Sequence, residues 1–153
     1  MTKMLIWAAT VIAPALIAQQ VPQAYIDALR SDLRADKEKI ITTAMQMDEP
    51  TSKQFWPIYR DYQNELSKLT DQRVQLVKDY AAQWKSLTND QADSLAKRAL
   101  KLQNDRQKLL EKYYKRFSKS ISAYTGAKWL QAESQLLQLM DVKIASDLPL
   151  IKP

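Results

Sequence analysis

The sequence predicts an all-α protein with four helices built around a long antiparallel helical hairpin, which gives the molecule an elongated shape. The 153 residues include a single Gly, and Ala, Leu, Lys, Gln and Arg are abundant, a composition that favours helices over turn-rich β folds. Apolar residues also recur at steps of three and four through most of the chain. That spacing is typical of one face of a helix, and the length is that of one domain.

Composition also narrows the classes of function. The chain has no Cys and no His, so it cannot form disulfides or thiolate metal sites, and it lacks the commonest general base. The single Gly excludes Gly-rich phosphate loops. No spacing of Asp and Glu singles out an acid–base pair, which leaves a Ser–Lys dyad as the one catalytic alternative. We therefore expect a protein that is not an enzyme and that binds no cofactor or metal.

Residues 1–18 have the layout of a secretory signal peptide. A positive charge near the start is followed by an uncharged, mostly apolar run, and polar residues come next. The run is shorter than the roughly 20 apolar residues of a spanning helix. Cleavage after Ala15 or after Ala18 fits the small-residue pattern, and a retained anchor or a buried helix is the alternative. The sequence thus predicts a periplasmic protein with a single helical domain over residues 19–153.

The apolar pattern and the turn residues place four helical segments. These span about residues 22–47, 51–86 and 88–122, and a last segment that starts after Gly126. Thr51 and Gln54 are spaced as a capping box at the start of the second segment. Pro57 should kink that segment, because proline removes a donor and clashes with the preceding turn. Gly126 is interpreted as the break before the fourth segment, and Pro149 as its end.

The two middle segments form the predicted hairpin. Each has about 35 residues, or roughly 50 Å at 1.5 Å per residue. The short connection at Leu87 and Thr88 makes them antiparallel neighbours. A pair of this length cannot bury its apolar stripe alone, and the flanking helices cover only part of it. We therefore expect a second copy of the chain to cover the rest, in a homodimer.

Positive charge is concentrated in the third segment. Residues 97–119 hold nine basic groups and two acidic ones, for a formal charge of +7. The basic groups are Lys97, Arg98, Lys101, Arg106, Lys108, Lys112, Lys115, Arg116 and Lys119. The six lysines follow steps of three, four and seven, which predicts a stripe along one helix face. The lysines predicted to attract acidic partners are Lys101, Lys108, Lys112 and Lys115, and a solvated helix face is the alternative.

Aromatic residues supply the candidate apolar contacts. Most of them lie on the apolar stripes and are expected in the core: Phe55, Tyr59, Tyr62, Tyr113 and Phe117. Trp56 lies off its stripe, and Tyr114 lies among basic residues, so these two rings are predicted to contact clients. Interleaved basic and aromatic residues can also bind nucleic acid, but an exported protein would meet anionic lipid or polypeptide instead.

One short motif begins the third segment. Leu87, Thr88 and Gln91 match the pattern L-T-x-x-Q, in which Thr caps the helix and Gln closes a capping box. A degenerate earlier copy is either Met47–Thr51 or Pro50–Gln54. With the export signal and the basic helical chain, residues 22–125 resemble the LTxxQ, or Spy/CpxP-like, family of periplasmic stress proteins.

The resemblance implies a curved all-α homodimer that binds unfolded clients without ATP or senses envelope stress. Metal-sensing members of the family use His-rich sites, and the absence of His here argues against carrying over metal binding. The leading hypothesis is an ATP-independent periplasmic chaperone-like protein that binds unfolded or envelope polypeptides through a basic and apolar helical surface. The alternatives are a regulatory adaptor that binds one folded envelope partner, such as a membrane sensor, and a protein that binds an anionic membrane surface.

Overall fold

The computed structural model describes residues 34–148 of the chain. They form four helices and no strand: α1 (Arg34–Met45), α2 (Glu49–Gln83), α3 (Asn89–Ser120) and α4 (Ala123–Asp147). The all-α class and the central hairpin are therefore confirmed. The predicted signal peptide, its cleavage sites and Pro149 lie outside the described residues. Within residues 34–148, none of the helices combines the length and hydropathy that a membrane span requires.

α2 and α3 form the antiparallel hairpin, and three ion pairs between them show its register. The pairs are Asp61–Arg116, Glu65–Lys112 and Asp79–Arg98, with N–O distances of 2.8, 2.6 and 2.7 Å. Residue numbers rise along α2 as those of the partners fall along α3, so the helices run in opposite directions. The 35 residues of α2 span about 52 Å at 1.5 Å per residue, which makes the hairpin long and thin.

α4 completes a three-helix bundle, and α1 covers one side of it. α4 packs along α3, and α1 packs against α4. Long side chains bridge α2 and α4: the Tyr62 ring meets the Trp129 ring edge-on with centroids 5.0 Å apart, and Arg73 reaches Asp141. These contacts place α4 parallel to α2.

An aromatic core lies between α2, α3 and α4. Its six rings are almost fully removed from solvent, and they belong to Phe55, Tyr59, Tyr62, Tyr113, Phe117 and Trp129. Phe117 stacks on Phe55 at 4.8 Å and packs against Trp129 at 4.7 Å, so that one ring joins all three helices. Pairs of this kind contribute about 0.5–1.5 kcal/mol each beyond their buried area. The five rings predicted for the core from the apolar stripes are all found in it.

The start of α2 differs from the prediction. Asp48 is the N-cap, and its side chain accepts a hydrogen bond of 2.9 Å from the Thr51 N–H. The predicted capping box of Thr51 and Gln54 is therefore wrong, because Thr51 already lies in the first turn. α2 then continues without a break past Pro57, which lies on the exposed side of the helix.

The start of α4 corrects the interpretation of Gly126. The helix begins at Ala123, and Ser122 caps it by accepting a hydrogen bond of 3.1 Å from the Thr125 N–H. Gly126 therefore lies inside the first turn and not before the helix. A Cβ atom there would clash with Ser118 Oγ and lie 3.1 Å from the Tyr114 carbonyl oxygen on α3. The glycine thus permits close packing of two helices, and it marks no break.

Candidate functional site

The L-T-x-x-Q segment forms the capping box that its spacing predicts. Thr88 Oγ1 accepts a hydrogen bond of 3.2 Å from the Gln91 N–H, and Gln91 Oε1 accepts one of 2.9 Å from the Thr88 N–H. Leu87, just before the cap, is half-buried. The motif therefore fixes the turn of the hairpin and the first residue of α3.

Carboxylates neutralise most of the basic groups on α3. Six of the nine cations between residues 97 and 119 form an ion pair with a carboxylate: Lys97, Arg98, Lys101, Arg106, Lys112 and Arg116. Four of the six partners lie on other helices, at Asp61, Glu65, Asp79 and Asp141. Fewer basic groups on α3 are therefore free to bind an acidic partner than the sequence predicts.

Two of the lysines assigned to client binding are engaged within the fold. Lys101 pairs with Asp105 one turn further along α3, and its side chain is mostly exposed. Lys112 Nζ donates to both carboxylate oxygens of Glu65, at 2.6 and 2.7 Å, and lies 5.3 Å from the centroid of the Tyr113 ring. Exposed pairs within one helix contribute only about 0.3–0.5 kcal/mol, so Lys101 is readily released. Lys112 is held across the hairpin and contributes to its register.

The contacts of Lys112 extend into a small network. The Tyr113 hydroxyl donates to Glu65 Oε1 at 2.8 Å, so one carboxylate receives both groups. The hydrogen bond from Lys112 holds the pKa of Glu65 below its usual range. Burial, together with the hydrogen bond to Glu65, raises the pKa of Tyr113 to about 12. At neutral pH the network therefore contains a charged carboxylate and a neutral phenol.

The other two predicted lysines remain available. Lys108 and Lys115 are exposed, as is Lys119, and none of the three forms an ion pair within the part of the chain that the structure describes. They follow one another at steps of seven and four, which places them on one face of α3. We call Lys108, Lys115 and Lys119 the free basic face.

The two predicted contact rings are only partly accessible. Trp56 is half-buried, its Nε1 donates to Ser52 Oγ at 3.0 Å, and it packs edge-on against Phe55 and Tyr59. Tyr114 is half-buried and packs against the aromatic core. Each ring therefore presents one side to solvent and is fixed by the core on the other.

The structure exposes a ring that sequence reasoning missed. Tyr124, in the first turn of α4, is 76% exposed. It follows closely after the end of α3, where Lys119 is the basic residue of the last turn. The prediction of a break at Gly126 placed Tyr124 in a loop. The signal that could have found it is Ser122 as a helix cap, with Tyr124 two residues along.

Apolar side chains are also exposed on the outer face of α4. Leu139 and Val142 are each 69% exposed, and a step of three residues puts them on the same side of the helix. Exposed apolar residues that stand singly are ordinary on a protein surface, so the neighbouring positions of these two are the feature to note.

A buried ionic cluster lies on the opposite side of α4. Glu133 is fully buried, Lys37 Nζ of α1 lies 2.6 Å from its Oε1, and the Tyr62 hydroxyl donates to the same oxygen at 2.8 Å. The Lys37 contact is an ion pair whose geometry falls outside that of a hydrogen bond. Burial, and then the charge of Glu133, raises the pKa of Tyr62. The cluster joins α1, α2 and α4, and its closed surroundings suit a structural role.

The resemblance to the LTxxQ family stays a prediction from motif and composition. No protein-family model, curated protein or solved structure matches this chain. Among residues 34–148, no group of three or more acidic side chains is placed to hold a metal ion. The candidate binding groups among the described residues are the free basic face, Tyr124, and the exposed sides of Trp56 and Tyr114.

Proposed function

We propose that this protein is an ATP-independent, periplasmic chaperone-like protein of the LTxxQ type that binds unfolded or envelope polypeptides. The observation that carries the proposal is the free basic face, three exposed lysines in a row with no carboxylate partner among the described residues. The exposed ring of Tyr124 follows shortly after it in the chain. Cationic and apolar groups are the two kinds of contact that a loosely structured acidic polypeptide can use.

Charge would act first in this scheme. Fixed positive charges attract acidic segments over a range of about 8–10 Å at physiological salt. Each exposed ion pair contributes only about 0–1 kcal/mol, so no single lysine holds a client. Contact with a ring adds apolar burial, at about 25 cal/mol per Å². The sum of several weak contacts gives reversible binding, which needs no nucleotide for release.

The residues in the proposal differ in how accessible they are to a client. Lys108 and Lys115 keep the role predicted from the sequence, and Lys119 joins them. Lys101 contributes when its pair with Asp105 opens, whereas Lys112 mainly supports the hairpin. Trp56 and Tyr114 are half-buried and can offer only part of each ring to a client, whereas Tyr124 is mostly exposed.

The test is suppression of aggregation of an unfolding acidic client in the absence of nucleotide. The test variant combines Lys108→Glu, Lys115→Glu and Lys119→Glu. The matched control combines Lys39→Glu, Lys68→Glu and Lys78→Glu, at three exposed lysines of other helices, and so has the same net charge. We expect the test variant to lose several-fold in protection at low salt, while the control stays close to the wild type. Equal protection by the two variants at every salt concentration would refute the proposed site.

We also propose that the protein is a homodimer whose contact includes Leu139 and Val142. Both side chains are mostly exposed and lie on one face of α4, which a second copy would cover. Sedimentation equilibrium should report a dimer for the wild type. Leu139→Glu together with Val142→Glu should shift the protein toward monomer, and Leu100→Glu, on α3, is the control. A wild-type monomer at all concentrations would contradict this part of the proposal.

A further inference from the structure

A cavity of about 360 Å³ lies between α2, α3 and α4 and begins beside the aromatic core, since its lining residues Leu66 and Leu137 pack in the same cluster as the rings. Its walls run from Leu66 to Val77 on α2 and from Leu137 on α4 to Leu148, the residue that follows that helix, with α3 closing the third side and Lys37 of α1 also in the lining. These stretches each correspond to about 16 Å of helix at 1.5 Å per residue. The cavity is therefore long and narrow, and its volume lies within the range of small-molecule sites, about 300–1,000 Å³.

Most of the lining is aliphatic. The half nearer the hairpin turn is lined by Leu76, Val77, Ala99, Leu102, Ile144 and Leu148. None of these side chains offers a hydrogen bond. A polar molecule placed there would lose its contacts with water and gain none in return. The walls therefore favour an alkyl chain.

A charged group interrupts these apolar walls. Arg106 forms two hydrogen bonds with Asp141, of 3.0 and 2.7 Å, and Arg73 donates from its Nη1 to the same carboxylate at 2.5 Å. Burial opposes ionisation of Asp141, but the hydrogen bonds from Arg106 and Arg73 prevail and hold its pKa below the usual range. Two guanidinium groups thus share one carboxylate, which leaves an excess of one positive charge.

Arg73 is the guanidinium with the more donors to spare. Among residues 34–148, its Nη1 donates to Asp141 and no partner is found for its other N–H groups, whereas Arg106 uses two nitrogens in the bidentate pair. The third cation of the lining, Lys37, lies 2.6 Å from buried Glu133 and is already balanced. Guanidinium donors bind carboxylates by charge-assisted hydrogen bonds.

We propose that this cavity binds a single-chain anionic amphiphile such as a fatty acid, with its carboxylate at Arg73 and its alkyl chain along the aliphatic half towards Leu148. The long, narrow shape of the cavity, lined along two helices, suits a single extended chain. The inference is independent of the proposed client binding, since none of the lysines of the free basic face lines the cavity.

Displacement of a fluorescent dansyl-labelled undecanoic acid from the purified protein tests the site. Dodecanoate, dodecanol and dodecylammonium serve as competitors below their micelle concentrations. We expect one binding site per chain and the order dodecanoate, dodecanol, dodecylammonium from strongest to weakest. Equal competition by the anion and the cation, or many equivalent sites per chain, would overturn the proposal.

Two pairs of variants separate the alkyl site from the charge. Ala99→Phe fills the aliphatic half, and Leu100→Phe, at the next and exposed position, is its control. Arg73→Gln removes the free donors, and Arg60→Gln, at an exposed position of the same helix, is its control. We expect Ala99→Phe to weaken dodecanoate binding by more than about tenfold, and Arg73→Gln to weaken dodecanoate but not dodecanol.

The fold of each variant is checked by circular dichroism. If Ala99→Phe does not fold, Leu102→Phe is the milder substitution in the same wall, and the same loss is expected. Wild-type dodecanoate affinity in a folded Ala99→Phe or Leu102→Phe protein would refute the cavity as the site. An equal loss of dodecanoate and dodecanol in Arg73→Gln would refute the role of the guanidinium.

Discussion

The buried pair of Lys37 and Glu133 supports a quantitative prediction about stability. Glu133 is fully buried, and Lys37 is almost so, with its ammonium 2.6 Å from the carboxylate. Glu133→Gln keeps the shape of the side chain but leaves the ammonium buried without an opposite charge. Removing one partner of a buried ion pair costs about 3–5 kcal/mol, and we expect this loss in the free energy of unfolding.

A double variant tests the cause of that loss. Replacing both residues by apolar ones of similar size, Lys37→Met with Glu133→Leu, removes the unpaired charge. The double variant should therefore recover most of the stability lost by Glu133→Gln, because folding no longer has to remove two charges from water. It leaves the Tyr62 hydroxyl, which now donates to Glu133, without that acceptor, so full recovery is not expected.

The assay is urea unfolding at neutral pH, followed by circular dichroism and tryptophan fluorescence. Glu49→Gln is the matched control, because Glu49 forms an ion pair with Lys53 in which both side chains are more than two-thirds exposed. It should cost less than about 0.5 kcal/mol. A loss from Glu133→Gln no larger than that of the control would refute the reasoning, and so would a double variant less stable than Glu133→Gln.

Three further predictions concern local packing, backbone strain and pH. Gly126→Ala should lower the free energy of unfolding in urea by about 1–2 kcal/mol, since its Cβ would lie 3.1 Å from the α3 backbone. Adding Ser118→Ala should restore only part of this loss, and an unchanged urea midpoint for Gly126→Ala would contradict the close packing. Gln46→Gly should raise the thermal midpoint, because glycine relieves the strain of the left-handed φ of 46°, which costs about 1 kcal/mol. Gln83→Gly is the control and should lower the thermal midpoint. Because the folded pKa of Tyr113 is raised to about 12, its neutral form favours the fold, and this contribution is lost as pH rises from about 10 to 12. Tyr113→Phe should lose less stability than the wild type over that interval, and parallel pH curves would count against the assignment.

The fold was accessible from the sequence because its signals are local. Periodic apolar residues gave the hairpin and the buried rings, from Phe55 to Phe117, and the spacing of Thr88 and Gln91 gave the capping box. The ends of helices were less accessible. α4 begins after the cap Ser122 and not after Gly126, and α2 begins after the cap Asp48 and not at Thr51.

The candidate site was only partly accessible, because it depends on contacts between helices. The spacing along α3 predicted which lysines share a face. It did not predict that Lys112 forms an ion pair with Glu65 on α2, whereas Lys115 forms none among the described residues. Pairing of that kind follows from the register of two helices and the reach of both side chains. For the same reason, neither the burial of Glu133 nor the Arg73–Asp141 contact could be inferred from position alone.

The most direct test of client binding is photocross-linking from position 124. A benzophenone amino acid in place of Tyr124 should cross-link to an unfolding acidic client, and the yield should fall as salt is raised or when Lys115 and Lys119 become Glu. The same group at Leu100, which is also exposed but stands apart from the free basic face in the sequence of α3, should give little product. Equal, salt-independent yields from the two positions would contradict a surface built on the unpaired lysines.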